Sequence, residues 1–381
     1  MSSSAGSTPT AIDPVVLTDL AHMRAAIALA RRGLGEVWPN PTVGCVIVNG
    51  GRVVGRGWTQ PGGRPHGETE ALTRAGAAAR DATAFVSLEP CCHWGKTPPC
   101  TDALIAAGLA RIVIPIEDPD PRVSGRGIAK LRGAGLVVET GLCADEASEV
   151  NAGFLLRIRE GRPLVTLKLA TTLDGRIATH AGESQWITGP LARDRAHVLR
   201  ASHDAVMVGS NTVIADDPLL TCRLPGLTHR SPVRVIVDSR LRVPLTARVV
   251  AEACQIPTWF VTLRGGDRLR QEAFRACGVE LIEVDGDDGA GVDIGEGLRA
   301  LGARGLTRVL AEGGSHLAAS LLRDRLVDRL AWFRAPRLIG GDGLPAVAAF
   351  GLERLADAPG FGRSNLLEAG EDVLETYRRA T

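Results

Sequence analysis

The chain has 381 residues with 44 Lys and Arg against 43 Asp and Glu and 45% apolar residues, enough for two ordinary domains rather than one core. Balanced charge leaves no surplus to neutralise a phosphate backbone, which argues against a nucleic-acid-editing enzyme while allowing a local pocket in which one or two arginines hold a single phosphate. No apolar run reaches membrane-spanning length, and the eight cysteines, at 45, 91, 92, 100, 143, 222, 254 and 277, form no small disulfide framework and suit a reducing, cytoplasmic compartment.

Residues 1–16, rich in Ser, Thr and Ala at their start, lack the basic and apolar regions of a signal peptide and read as a disordered tail. From Leu17 to Arg32 apolar residues recur at helical spacing and stop near Gly33 and Gly35. A hairpin follows, with strands at Val43–Asn49 and Arg52–Gly57 around Gly50-Gly51. His66–Ala79 then reads as a helix, Ala84–Leu88 as a strand, Cys100–Ala107 as a helix and Arg111–Ile116 as a strand, an alternation that implies a layered α/β sheet. Asn40-Pro41 and Asp118-Pro119-Asp120-Pro121 are turns first, although the Asn40 amide can also present a donor and an acceptor to a base edge.

This first half carries the chemistry most readable from sequence. His66-Gly67-Glu68 opens a helix, and Glu89-Pro90-Cys91-Cys92-His93-Trp94-Gly95-Lys96-Thr97-Pro98-Pro99-Cys100 follows an apolar strand. One imidazole and two thiolates can hold Zn²⁺ and keep a fourth position for water, whose pKa the metal lowers to about 7. Glu68, two residues beyond His66, is close enough to shuttle a proton from that water to a leaving amine, which is hydrolytic deamination. Zinc deaminases are marked by H-x-E and P-C-x-x-C, whereas here the second thiol lies nine residues on, with Cys92 as a bystander and His93 as a rival ligand. Any one of these residues alone reads as a core thiol or a turn; the set together does not.

A second unit begins near Arg162-Pro163, after a helical stretch at Asp145–Glu160. Strands are expected at Leu164–Leu169, Ala205–Val208, Val233–Val237, Thr258–Thr262 and Val309–Ala311, with a tight turn at Asp174-Gly175-Arg176. Neither G-x-G-x-x-G after a strand nor a P-loop occurs. Glu312-Gly313-Gly314-Ser315 leads from a strand into a helix at His316–Leu326; the turn is either an anion-binding helix start or a plain strand-to-helix turn.

Together these residues resemble the bifunctional deaminase/reductases of riboflavin biosynthesis over almost the whole chain. In the first half the match rests on Pro39-Asn40-Pro41-Thr42-Val43-Gly44, His66-Gly67-Glu68 and Glu89 to Cys100; in the second, on Lys168 to Gly175, Ser184 to Pro190, Asp216 to Thr221 and Glu312-Gly313-Gly314. The resemblance implies a cytidine-deaminase-like three-layer α/β/α domain at 17–161 and a dihydrofolate-reductase-like α/β domain at 162–381. It implies Zn²⁺ held by His66, Cys91 and Cys100, with Glu68 as proton shuttle and Asn40, His93 and Lys96 near a pyrimidine ribosyl phosphate. It further implies NADPH bordered by Ala170, Trp186, Thr212, Asp216, Ser239 and Gly314, Ser315, His316, Leu317, Ala318, Ala319 and Ser320. Ser184, Arg200, Leu220, Arg223 and Glu312 would border the substrate, Lys168 and Glu312 would lie at the reacting sugar, and Arg200 or Arg223 would grip the phosphate. A homo-oligomer is expected. Gly67 stands where the family more usually has alanine, Cys92 where it has serine and Asp120 where it has asparagine.

Two rival readings remain at this level. One is a single-activity zinc deaminase with a non-catalytic second domain; the other is a zinc-stapled binding or regulatory protein, whose metal would be closed by a fourth protein ligand.

Overall fold

The computed structural model describes residues 14–286 and 291–380, the side chains of 14–16 excepted. The first thirteen residues of the expected tail lie outside that range, and a helix begins at Pro14. The chain forms two compact units, one built from the described residues up to Gly33 together with Pro41–Leu155, the other from Leu34–Asn40 with the chain from Leu156 onward.

The first unit runs α1 (Pro14–Ala30), β1 (Gly44–Asn49), β2 (Arg52–Trp58), α2 (Gly67–Ala75), β3 (Thr83–Val86), α3 (Cys100–Ala106), β4 (Arg111–Ile114), α4 (Arg126–Gly133), β5 (Val137–Thr140) and α5 (Ala144–Val150); α6 (Ala152–Glu160) carries the chain across the boundary. The sheet order is β2-β1-β3-β4-β5, antiparallel at β2-β1-β3 and parallel from β3 to β5. Period-2 alternation splits its side chains between two faces. Val46, Phe85 and Val113 pack against Met23, Ala26, Ile27 and Ala30 of α1 and Ala147 and Val150 of α5. Cys45 and Ile47 share the opposite face with their register partners Gly57 and Gly55, over which α2 lies. The result is the expected three-layer α/β/α arrangement.

Two expected helices are interrupted. The Asp145–Glu160 stretch breaks between α5 and α6 at Asn151, whose side chain turns back to the segment just before β1: its Oδ1 accepts the Thr42 N–H at 3.0 Å and its Nδ2 donates to the Thr42 carbonyl at 3.1 Å. The His66–Ala79 helix changes at Gly76, whose φ of 52° is open to glycine and strained for other residues.

The second unit runs β6 (Leu164–Thr172), β7 (Arg176–Ala178), α7 (Pro190–Ala201), β8 (Ala205–Gly209), α8 (Ser210–Asp216), β9 (Val233–Val237), α9 (Arg248–Ala251), β10 (Thr258–Leu263), α10 (Arg268–Ala276), β11 (Glu280–Val284), α11 (Ile294–Ala303), β12 (Arg308–Glu312), α12 (Ser315–Arg323), β13 (Arg329–Ala335), β14 (Leu344–Pro345), β15 (Phe361–Ala369) and β16 (Asp372–Arg379). Its nine-stranded sheet has the order β11-β10-β9-β8-β12-β6-β13-β16-β15, parallel from β11 to β13 and antiparallel at β16 and β15. One face buries Val165, Leu167, Met207, Val235, Val261 and Val309 under Leu298 and Leu301 of α11 and Leu321 of α12. The other buries Val206, Val208, Ile236 and Phe260 under Val213 of α8 and Phe274 of α10. The strands β8, β9 and β10 are buried on both faces, as a sheet covered by helices requires.

Gly67 is more than a small substitute for alanine. A Cβ there would lie 2.5 Å from the Val43 carbonyl oxygen and 3.2 Å from the Trp58 Cα, so α2 starts closer to the hairpin than any side chain permits. Gly67→Ala is expected to destabilise the chain by about 1–3 kcal/mol through overpacking against backbone. Gly133→Ala, where a Cβ meets nothing within 4 Å, is the control and is expected to be neutral or to stabilise by up to about 1 kcal/mol. Denaturant unfolding of both variants checks this, and equal stabilities would show that the hairpin yields without strain.

Candidate metal and reduction sites

In the first unit α2 presents His66 as its N-cap and buries Glu68 in its first turn. The chain beyond β3 brings Cys91 to the same point, and Pro99, at the N-cap of α3, sets Cys100 on that helix's first turn. His66 Nδ1 lies 3.2 Å from Cys100 Sγ and 3.7 Å from Cys91 Sγ, and the Cys100 N–H donates to Cys91 Sγ at 3.3 Å. All three donor atoms lie within 4.8 Å of one another. Zinc bonds of about 2.0–2.3 Å in a tetrahedron place donors roughly 3.5–3.8 Å apart, so the set needs only small adjustments to close on the ion. Hydrogen bonds, first from Cys100 and then from His66, hold the Cys91 thiol down at about 4, while the bond to Cys91 and burial push Cys100 well up. A thiolate, an imidazole and a second thiol are the donors zinc takes.

Beside them Glu68 is 2% exposed, and its buried Oε2 has no hydrogen-bond partner. Burial pushes its carboxyl pKa up. Of the other expected contacts, His93 stays out of the donor cluster among the described residues, and Asp120 is held by Arg122 at 2.6 Å. Lys96 stands on the exposed stretch 94–98, and Cys92 donates to the Arg122 carbonyl at 3.6 Å. The Asn40 amide donates to the Val37 carbonyl at 3.2 Å, within the 34–40 segment that groups with the second unit.

Two residues without an assigned role in the sequence reading shape this site. Glu89, 3% exposed, accepts the N–H groups of Asp118 and Gly125 on one oxygen and of Ile128 on the other, at 3.0–3.1 Å. It thereby fixes the chain just before Pro90-Cys91. Arg64 Nη1 lies 3.2 Å from His66 Nε2 and donates to Thr97 Oγ1 at 2.7 Å, joining the imidazole to the loop that precedes Cys100. A Glu directly before Pro-Cys was the available signal for the first; nothing in sequence marked the second.

In the second unit a cleft of about 580 Å³ opens beyond the carboxyl ends of β6, β8 and β12, the place where parallel α/β sheets hold ligands. Lys168, Ser184, Trp186, Arg200, Thr212, Asp216, Leu220, Arg223 and Glu312 all line it, together with Gly313 and the unanticipated Arg248. Lys168 and Glu312 are register partners on β6 and β12. Arg200, on α7, clamps Glu312 bidentately, Nε to Oε1 at 2.7 Å and Nη2 to Oε2 at 2.8 Å. Burial pushes the Glu312 carboxyl up, but the charge and hydrogen bonds of Arg200, with Lys168 behind them, more than offset it and hold the group at about 2. Burial lowers the Lys168 ammonium, with Glu312 opposing, and its Nζ sits 5.6 Å from the Phe333 ring centre. Gly314, at φ 82° and with a Cβ position 3.1 Å from Thr212 Oγ1, lets the turn after β12 approach the cleft wall.

The rest of the expected cofactor border lies elsewhere on these elements. Ala170 is half-buried on β6, and Ser239 Oγ accepts the Val292 N–H at 3.2 Å. Ala318 and Ala319 of α12 are buried, whereas Ser315, Leu317 and Ser320 are half-buried and His316 is exposed.

Comparison with known proteins follows this division. Residues 17–116 match the cytidine and deoxycytidylate deaminase zinc-binding region, and residues 163–359 match the RibD C-terminal domain. The chain is 43% identical over 368 residues to the riboflavin biosynthesis protein RibD of Escherichia coli, covering 94% of this chain and 98% of that one. It is 39% identical over 361 residues to RibD of Aquifex aeolicus, covering 95% and 98%. Among solved structures, Acinetobacter baumannii RibD superposes with a TM-score of 0.86 at 37% identity, covering 96% of this chain and all of the other. The diaminohydroxyphosphoribosylaminopyrimidine deaminase/5-amino-6-(5-phosphoribosylamino)uracil reductase of Thermotoga maritima superposes at 0.83 with 35% identity and the same coverage.

Glu89→Gln turns one acceptor oxygen into a donor facing a backbone N–H, so it is expected to cost about 1–3 kcal/mol and to lower the zinc bound per chain, measured by unfolding and by metal analysis of the purified protein. Full zinc content in the variant would detach Glu89 from the placing of Cys91. At the second site the depressed Glu312 pKa makes its pairing a source of stability that is complete above the free-carboxyl value of about 4.3 and lost as pH falls toward 2. Glu312→Gln is expected to flatten the fall in stability over that window; an unaltered slope would place the titration on other groups.

Proposed function

The chain belongs to the RibD family of riboflavin biosynthesis proteins, and from that premise we propose how its residues divide two reactions between two units. The protein is a bifunctional enzyme, a zinc-dependent deaminase and an NADPH-dependent reductase acting on small molecules. It replaces the ring amine of 2,5-diamino-6-ribosylamino-4(3H)-pyrimidinone 5′-phosphate with oxygen, then reduces the ribosyl group to ribityl. Similarity across both units leaves no place for the second as an inert appendage.

The observation that carries the assignment of residues is the pairing, in one chain, of the His66, Cys91 and Cys100 donor cluster beside Glu68, whose buried Oε2 has no partner, with a cleft floored by Lys168 and Glu312. His66, Cys91 and Cys100 hold the zinc, which when bound supplies a Lewis acid that makes water nucleophilic near neutral pH. Glu68 Oε2 takes a proton from the attacking water and returns it to the departing amine. Asn40, His93 and Lys96 are assigned to the pyrimidine side of that site on family resemblance.

In the reductase cleft NADPH supplies the hydride, so the chain's contribution is placement and charge. Lys168 Nζ donates to a sugar oxygen and offsets negative charge there, while Glu312, ionised and clamped, keeps Lys168 protonated and in place. Ser184 and Leu220 border the substrate, and Trp186, Thr212 and Asp216 border the nicotinamide end of the cofactor. Ala170, Ser239 and the stretch Gly314–Ser320 carry the remainder of the cofactor site. We place the deaminase at 17–161 and the reductase at 162–381; the change of contacts at Leu155–Leu156 supports a boundary in that neighbourhood. Eight free cysteines, two of them ligands, support a reducing cytoplasm. The exposed edge strand β15, with Leu366 and Leu367 exposed on it and the exposed Leu191 and Val198 of α7 beside its Glu368 and Ala369, supports a homo-oligomer.

Mass spectrometry of products from the diaminopyrimidinone ribosyl phosphate, with and without NADPH, tests the division. Glu68→Gln is expected to lower deamination at least about a hundredfold and to leave reduction of pre-deaminated substrate intact; Glu312→Gln is expected to do the reverse. Chelation should act as Glu68→Gln does. Loss of both steps in either variant would tie the two sites into one.

A further inference from the structure

One large apolar ring in the wall of the second-unit cleft is held by something other than apolar burial. Trp186 lines the cleft from the turn between β7 and α7, and it is 59% exposed. An indole left this open gains little from the core and keeps its rotamer freedom unless a neighbour removes it.

The backbone of that turn is tied at three points. Arg337 Nη1 donates to the Trp186 carbonyl at 3.3 Å, Arg193 Nη1 donates to the Thr188 carbonyl at 2.8 Å, and the Gly189 N–H donates to Oδ2 of the buried Asp372 at 2.6 Å. Arg193 also reaches the ring itself: its Cζ lies 4.6 Å from the indole centre, within the range at which a guanidinium is attracted to an aromatic face. One planar group thus fixes the ring and the backbone two residues beyond it. The position of Arg193 follows from α7. Residues 193, 197 and 200 recur at the helical interval and share one stripe; Arg193, His197 and Arg200 are half-buried along it, whereas Asp194, Arg195 and Val198 are exposed. Two turns beyond Arg193, Arg200 clamps Glu312. A single helix therefore carries both the group stacked on the indole and the group that holds the carboxylate on the cleft floor.

We infer that Arg193 is a positioning residue of the reductase: stacked on one face of the Trp186 indole, it holds the opposite face as a fixed surface against which the nicotinamide of NADPH rests. The inference rests on the cofactor border proposed above. Arg193 does not itself line the cleft, so its effect passes through the ring.

The test is steady-state reduction by the full-length enzyme at varied NADPH, with deamination measured on the same preparations. Arg193→Ala is expected to raise the KM for NADPH about two- to fivefold, the factor that corresponds to a cation–π contact at an exposed ring, with kcat and deamination close to those of the wild type. Arg193→Lys keeps a cation over the ring and should recover part of the change. In a Trp186→Ala background, Arg193→Ala should add nothing further, because the ring it acts on is gone. An unaltered KM in Arg193→Ala, or a full additional effect in the double variant, overturns the inference. Fluorine NMR of the enzyme labelled with fluorotryptophan, with the Trp186 resonance assigned from Trp186→Phe, separates the stacking from the cofactor reading. Without any ligand, Arg193→Ala should move or broaden that resonance and leave those of the other tryptophans in place; an unmoved resonance shows that Arg193 does not hold the ring and overturns the inference. Adding NADPH to the wild type should shift the same resonance, and an absent shift overturns the cofactor border and with it the nicotinamide as the partner of the ring.

Discussion

Buried carboxylates at the ends of sheet strands organise both units, because each must be neutralised from within the fold. Glu89 lies beyond the end of β3 and accepts three backbone N–H groups. Asp204 precedes β8 and takes the backbone N–H groups of Thr307 and Arg308 and the Thr307 hydroxyl. Asp328 precedes β13, where Arg162 clamps it at 2.7 and 3.0 Å and the Val165 N–H donates to it. Glu312 ends β12 under Arg200. At strand starts these groups tie one strand to the next. At the ends of β3 and β12 the same device leaves chemistry exposed: Glu89 sets the height of Cys91, and Glu312 sets the charge at the floor of the cleft.

The two units differ in what covers the carboxyl ends of their strands. In the first, α2 approaches β2 so closely that Gly55 and Gly57 give way to backbone oxygens of Ala71 and Gly67, at 2.3 and 2.2 Å from where a Cβ would be. The helix that carries His66 and Glu68 is therefore held by close backbone packing rather than by long side chains, and the donor cluster inherits that rigidity. In the second, the helices stand back on apolar layers, and the opening between them is lined by long polar side chains from α7, α8 and α9. A small planar ring suits the first geometry; a sugar phosphate beside a dinucleotide needs the second.

The first unit was more legible in sequence because its signals are local. His66 and Glu68 lie two residues apart, Cys91 follows Pro90, and the intervening strand is a short apolar run. The second unit was legible where strands are continuous apolar runs, but α7, α10, α11 and the strands β11, β13, β15 and β16 went unmarked. Helices such as α10, with Arg268, Arg270 and Arg275 around buried Gln271 and Phe274, show too thin an apolar stripe for the pattern to stand out. Pairing across 112 residues joins Arg200 to Glu312, and no spacing rule encodes such a contact.

Glu68 and Glu312 show how one residue type is set to two tasks. Both are buried, at 2% and 7% exposure. Glu68 keeps an oxygen with no partner, next to an imidazole and two thiols that a cation will occupy, so a proton can be gained and lost there without breaking a hydrogen bond. Glu312 has both oxygens committed to Arg200 and a second cation, Lys168, as its register partner across the strands. Protonating it would break two charge-assisted bonds at once, so it serves as a fixed negative charge. Hydrolysis of an amine needs a group that carries protons, whereas hydride delivery needs a field that does not change while the hydride moves. The difference lies in the neighbours supplied by the fold, and it fits the two glutamates to the different reactions proposed for them.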